Sequence, residues 1–297
     1  MMKNILSRKV IEPKIKEAKL SFYLLNKNIL TRFALITVFV LVLVAIFANF
    51  IVPFPEHIFL GNDPANSLNP PSWKNLCGTD ELGRDIFSRI LYGTRISLQA
   101  AVVAVFFAVT IGSFLGAIAG SIGGWLDELI MRITDIFLSF PPLLMAISIA
   151  ALLGPSLNNA TIAIIVSWWP WYTRLMRGQA ISVKEKQFAK AAEAIGTSSM
   201  KIIFKHIVPN CVAPIIIQAS MDMGAVILSL ASLSFLGLGA QPPTPEWGLM
   251  VSTSKNYFMN APWYSLFPGI AIFITVLAFN LLGDGMREIL DPKTRKN

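Results

Sequence analysis

The sequence predicts an all-α membrane protein of six transmembrane helices, with both termini on the cytoplasmic side. Three observations carry that reading. Of 297 residues, 54% are hydrophobic and only 14% charged, whereas a soluble domain carries roughly 25% charged residues. The apolar residues gather into stretches near the roughly 20 residues that a helix needs to cross a bilayer. Finally, 20 of the 25 Lys and Arg fall on one side of the spans so defined, the asymmetry that sets orientation.

The first span, residues 33–51, contains no charge and follows a basic segment, 1–32, with eight Lys and Arg. The apolar run has full span length and no small-x-small cleavage site follows it, so it is expected to be an uncleaved anchor. The basic segment reads either as a plain topogenic charge cluster or as an amphipathic helix on anionic lipid. The second span, 96–119, leads into a stripe of Gly112, Gly116 and Gly120 on one helical face. Such a stripe lets backbones approach closely, within this bundle or against a second subunit. In the third, 129–153, Arg132 and Asp135 are placed to pair with each other, and Pro141 and Pro142 should disturb the helix. The fourth, 160–172, is short and ends in the cluster WWPWY. The fifth, 207–238, is long enough to tilt or break. The sixth, 266–282, ends at GDG.

This topology puts 1–32, the 120–132 turn, 174–206 and the tail after 284 in the cytoplasm, and 53–95 and 239–265 outside. The formal charge of +8 is concentrated on the cytoplasmic flanks, where its partner is membrane lipid and not nucleic acid. Two Cys (Cys77, Cys211) and two His (His57, His206) are too few for a disulfide framework or a metal cage. No GxxxxGK[ST] motif occurs, so the chain lacks the loop that cradles nucleotide phosphates. His57 and His206 face opposite sides of the bilayer, and neither HExxH nor paired intramembrane carboxylates are present. Transport, channel or scaffold roles are left.

The cytoplasmic loop reads KEKQFAKAAEAIGTSSMKIIFKHIVPN from Lys184. Phe188, Ala191, Ala192 and Ile195 recur at i, i+3, i+4 and i+7, one apolar stripe on a helix. Gly196 suits the position just past that helix, and Thr197 or Ser198 can cap a second. The product is a compact helical hairpin, packing either on its own bundle or against another protein, whose backbone two alanines let approach. Lys190 and Glu193 are placed to pair, worth only a few tenths of a kcal/mol if exposed.

This stretch resembles the EAA loop of type I ABC importer permeases, patterned as EAA, three residues, Gly, nine residues and I-x-L-P. Alignment on Gly196 and Pro209 places Lys190, Ala191 and Ala192 at EAA, His206 at Ile and Val208 at Leu. The segment CGTDELGRDIFSRILYGTRISL from Cys77 closely resembles the signature of the C-type permease subunit of the dipeptide/oligopeptide/nickel importer subfamily. The stretches GGWLDELIMRITDIFLSFPPLL, ASLSFLGLGAQPPTPEWG and FNLLGDGMREILDP extend the match over about residues 30–292.

The resemblance implies a type I importer fold. Its parts would be a basic segment (1–32), a first span with an extracytoplasmic loop (33–95), a five-helix permease core (96–289) and a tail (290–297). The loop 184–209 would couple to two partner ATPases through Phe188, Lys190, Ala191, Ala192, Glu193, Ile195, Gly196 and Pro209. ATP and Mg would be bound by those partners, leaving this chain without cofactor, metal or catalytic residue. A B-type permease subunit and an extracytoplasmic solute-binding protein would complete the assembly. On the outer face the motif residues are Gly78, Asp80, Gly83, Arg84, Asp85, Pro242 and Trp247. Asp80, Glu81, Arg84 and Asp85 either fix the loop by local ion pairs or meet a partner.

Asp222, with Gln218 one turn before it, lies deep in the fifth span, where a carboxylate is expensive and faces the bundle interior or water. It is either part of a substrate path or hydrogen-bonded to a neighbouring helix. An ion-driven secondary transporter would show internal repeats and several such carboxylates, and a scaffold would not need the outer motifs. Within the subfamily, nickel and oligosaccharides are alternatives to peptides as solute.

Overall fold

The computed structural model describes residues 28–290, with the side chains of 289 and 290 excepted. Most of the basic N-terminal segment and the extreme tail lie outside it. Within this range the chain forms helices α1 (Ile29–Ile51), α2 (Ile86–Ile122), α3 (Gly124–Leu138), α4 (Pro142–Leu153), α5 (Leu157–Lys184), α6 (Gln187–Ala194), α7 (Ser199–Ile202), α8 (Val208–Phe235), α9 (Trp247–Ser254) and α10 (Pro262–Leu290). Side-chain caps start several of them. Asn28, Asp85, Ser156 and Glu246 accept from backbone N–H groups in the first turns of α1, α2, α5 and α9, satisfying donors that a helix start leaves free.

Among the described residues, four helical stretches, Ile29–Ile51, Ile86–Ile122, Ser199–Phe235 and Pro262–Glu288, are long and apolar enough to cross a membrane. The pair α3 and α4 adds a fifth if it acts as one span. It is bent by 86°, because Pro142 holds the preceding Pro141 in an extended conformation (φ −57°, ψ 127°) and itself restarts the helix at its first position. The expected fourth span is longer than expected: α5 runs 28 residues, past Arg174 and Arg177 to Lys184. It has the length but not the hydropathy of a span. The physical reason is enclosure: α5 packs on α2, α3, α4 and α8, so much of its surface meets protein and need not match lipid.

The fifth stretch neither breaks nor starts where expected. From Ser199 to Phe235 the helix is continuous through a π-helical turn, Ile203–Ile207. Pro209 explains that turn, since its ring has no N–H to give and the wider turn avoids a clash with the preceding carbonyls. The Asn210 side chain donates to the His206 carbonyl at 2.6 Å.

The glycine stripe settles on intramolecular packing. A Cβ at Gly112, Gly116 or Gly120 would collide with the carbonyl oxygens of Trp169, Thr173 and Arg177 respectively, so α2 and α5 meet backbone to backbone. Two buried clusters follow. One joins α2, α4, α5, α8, α9 and α10 through Ala101, Ile164, Val226 and Trp247. The other lies where Met176, Ala180 and Val183 near the C-terminal end of α5 meet Ile203, Ile207 and Cys211.

Candidate functional sites

The coupling-loop candidates lie between α5 and α8, whose adjoining ends contribute to that second cluster. Lys186 precedes α6, and the helix ends in a Schellman arrangement. Gly196 N–H donates to the Glu193 carbonyl at 2.9 Å and Thr197 N–H to the Ala192 carbonyl at 3.1 Å. Gly196 has φ +77° with open space where a Cβ would be, a conformation that costs glycine nothing. Ser198 stands at the start of α7 without a side-chain cap bond.

The apolar stripe divides differently from the sequence expectation. Phe188, Ala191 and Ile195 are exposed, Ile195 to 83%. Ala192 is instead buried with Ala189, because the helix lies with that edge against its own bundle. Ala192 therefore supports the loop and does not offer contact surface. The pairing of Lys190 is also corrected. It meets Glu185 at 2.6 Å and not Glu193, and this contact draws the Glu185 carboxyl below its ordinary range. Phe188 leans on His206 with ring centroids 6.5 Å apart, so the histidine that replaces the family isoleucine packs within the loop. Pro209 lies beyond, at the head of α8.

Arg132 and Asp135 do not pair with each other. Arg132 meets Glu128 on its own helix at 3.3 Å, while Asp135 reaches Arg174 of α5. Asp127 binds Arg177 through both oxygens, at 2.6 and 2.7 Å. The sequence reading missed these cross-helix partners, since spacing reports neighbours within one helix only.

Deep in the bundle, the Tyr172 hydroxyl donates to Asp222 Oδ2 at 2.6 Å and the Gln218 amide to Oδ1 at 3.0 Å. This is the hydrogen bond to a neighbouring helix that the sequence left open, and both Gln218 and Asp222 stay partly exposed. Tyr172 was not foreseen as the partner.

On the outer face the structure brings together motifs about 150 residues apart. Asp80, fully buried, takes Arg84 Nε at 2.7 Å and lies 3.6 Å from Arg89 Nε. Arg89 donates to the Ile58 carbonyl at 2.6 Å and to the Pro243 carbonyl at 3.3 Å. Asp85 caps α2 by accepting from Ser88 N–H at 2.7 Å, and its own N–H donates to His57 Nδ1 at 3.0 Å. Gly78 and Gly83 both have φ +76°. Across the site, Trp247 Nε1 donates to the Ile90 carbonyl at 3.1 Å, and Ser97 Oγ donates to Glu246 at 3.4 Å. A cleft of about 330 Å³ separates the two loops, with Phe59, Glu81, Arg84, Pro242 and Thr253 on its walls. Burial pushes the Cys77 thiol up to about 11, helped by Asp85. Burial also raises the Glu246 carboxyl, against backbone donation from Gly248 and Leu249. The local ion pairs are thus present, but Arg89, Ser97 and Glu246 were missed as participants. Their signal lay in the quoted motifs, within DIFSR, RISL and PEWG.

Comparison with known proteins gives a consistent picture. Residues 112–296 match the family model described as binding-protein-dependent transport system inner membrane component. The dipeptide transport system permease protein DppC of Alkalihalophilus pseudofirmus is 49% identical over 275 residues, covering 93% of this chain and 90% of the relative. The glutathione transport system permease protein GsiD of Escherichia coli O6:K15:H31 is 48% identical over 262 residues, covering 88% and 86%. Among solved structures, a chain of the MetNI methionine ABC transporter in inward-facing conformations aligns with a TM-score of 0.55 at 18% identity. It covers 69% of this chain and 96% of that one, a likeness of fold.

Proposed function

This chain belongs to the family of binding-protein-dependent transport system inner membrane components, and from that premise we propose that it is the C-type subunit of an importer of short peptides. It is a permease and not an enzyme. In the proposed assembly a B-type permease stands beside it, two ATPases bind ATP and Mg, and a solute-binding protein docks outside. Relatives named for dipeptide and for glutathione transport support a peptide-like solute. The observation that carries the coupling role is α6, presenting Phe188, Ala191 and Ile195 outward from a fixed turn. An ATPase groove would receive that face.

Gln218 and Asp222 are proposed to line the solute path, where a partly exposed carboxylate and amide can hydrogen-bond a passing peptide. Asp222→Asn should then change the solute dependence of uptake, while Tyr172→Phe should leave it near wild type. The main test is uptake of a radiolabelled dipeptide into proteoliposomes holding all subunits. Uptake should require ATP, binding protein and this chain together. Robust ATP hydrolysis by the purified chain alone, or full uptake without it, would sink the reading. Both termini and the 184–209 loop are proposed to be cytoplasmic. Cysteines placed at Lys74 and Lys255 should label from outside and one at Lys190 only from inside.

A further inference from the structure

The motif GGWLDELIMRITDIFLSFPPLL has no part in the coupling loop, yet it forms α3, which is anchored in an unusual way. Among its residues only Thr134 is buried. Trp125, Leu129, Ile133 and Ile136 are exposed, and the facing Leu126, Ile130 and Phe137 are only half-buried, so apolar packing holds this helix loosely. At its start Gly123 and Gly124 take φ +74° and +66° with open space around them. At its end lies the 86° bend into α4. Its tertiary ties are the Asp127–Arg177 and Asp135–Arg174 ion pairs and an edge-on contact of Phe137 with Trp169, centroids 5.3 Å apart.

The helix that receives these ties is α5, whose C-terminal end leads into α6. Lys184, its last residue, donates to the Ser121 carbonyl at 2.7 Å, beside the glycine joint. The stem of the coupling helix is therefore bound to α2 by backbone packing and to α3 by charge. Asp127 is the firmer tie, since both its oxygens accept from one guanidinium and its side chain is only 18% exposed. Bidentate pairs of this kind fix orientation as well as distance.

From this arrangement we infer that Asp127 and Arg177, seconded by Asp135 and Arg174, are positioning residues that carry movement of the coupling helix to the bend between α3 and α4. The inference rests on the reading of α6 as the coupling helix. When the stem shifts, α3 follows through its carboxylates, pivots at the two glycines and changes the bend at 139–141. Without the pairs, α5 moves and α3 is left behind.

The test uses the full complex in proteoliposomes with radiolabelled dipeptide and, independently of solute, spin labels at positions 133 and 152 on either side of the bend. Asp127→Asn and Arg177→Gln should keep ATPase association and hydrolysis while lowering peptide moved per ATP roughly three- to tenfold. They should also abolish the ATP-dependent change in label distance. Exchange of the charges, Asp127→Arg with Arg177→Asp, should recover both, and Asp135→Asn should show a smaller loss. The ratio of uptake to hydrolysis does not depend on how much complex folds. An unchanged ratio and distance in both single variants overturn the inference. So does a parallel fall of hydrolysis and uptake, which marks a merely structural role. Failure of α6 as coupling helix reads differently, as undiminished ATPase association in Gly196→Val.

Discussion

The outer and inner faces use the same charged residue types to opposite ends. Outside, Asp80, Arg84, Asp85, Arg89 and Glu246 are all buried, and hydrogen bonds from Arg89 to the Ile58 and Pro243 carbonyls link the loop after α1 to the loop before α9. Inside, the Lys190–Glu185 and Arg132–Glu128 pairs lie exposed on the surface of the chain, and an apolar cluster that includes Val183, Ile203 and Ile207 ties the two ends of the loop together. A buried network is rigid because every member is costly to leave unpaired. An exposed pair on an apolar support leaves its surface available to a partner. Charge therefore fastens the outer face to itself, whereas apolar contact holds the inner loop and leaves Phe188, Ala191 and Ile195 uncovered.

The largest test of this contrast is Asp80→Ala. It leaves buried Arg89 without a carboxylate and Arg84 with only Glu81 at 3.6 Å, and breaking a buried pair costs about 3–5 kcal/mol. Chemical denaturation of the purified chain in detergent should show a loss of that order, and stability close to wild type would break the comparison. Gly196→Val comes next. With no neighbour to strike, it pays only for φ +77°, on the order of 1–2 kcal/mol. The chain should reach the membrane at normal abundance and lose ATPase association, which pull-down with the ATPase subunits would report. Ala192→Asp should act on the loop itself, because its charge would be buried against the bundle.

A smaller effect is expected from pH at Glu246. Its folded pKa is raised above the ordinary 4.5, so the folded state holds this proton more tightly than the unfolded chain. The contribution is fully present below about pH 4.5 and is lost as pH rises through the raised value. Glu246→Gln keeps an acceptor oxygen for Leu249 N–H and turns an NH2 to the Ser97 hydroxyl, which can accept, and should flatten that part of the stability profile. A profile unaltered by the substitution would show that this carboxyl does not report on folding. The least effect belongs to Lys190→Ala. Its pair with Glu185 is exposed, so thermal stability should not change, and a measurable drop would show the inner charges to be structural after all.

Much of the fold was legible before any coordinates. Long apolar runs, the Gly112–Gly116–Gly120 period and the Pro141–Pro142 interruption each act within one segment, so their consequences could be read locally. The Gly196 turn belongs with them, since a helix end is decided by a few adjacent residues. At the sites, legibility stopped at the edge of each helix. Spacing placed Arg132 beside Asp135 and Lys190 beside Glu193, but Asp135 found Arg174 and Lys190 found Glu185. Side-chain reach and the crossing of α3 over α5 are not encoded in spacing.

By itself the sequence determined that this is a helical membrane protein, where its apolar segments lie, and to which transport family its motifs are similar. These properties follow from side-chain transfer between water and lipid and from local backbone preference, both written residue by residue. Only the tertiary structure decided that Ala192 faces inward while Phe188 faces out, that Tyr172 holds Asp222, and that Arg89 spans two outer loops. It also decided that α5 needs less hydropathy than a lone span because protein encloses it. Those outcomes depend on which segments meet, and a contact between residues 80 and 89 and a loop near 243 exists only once the whole bundle has closed.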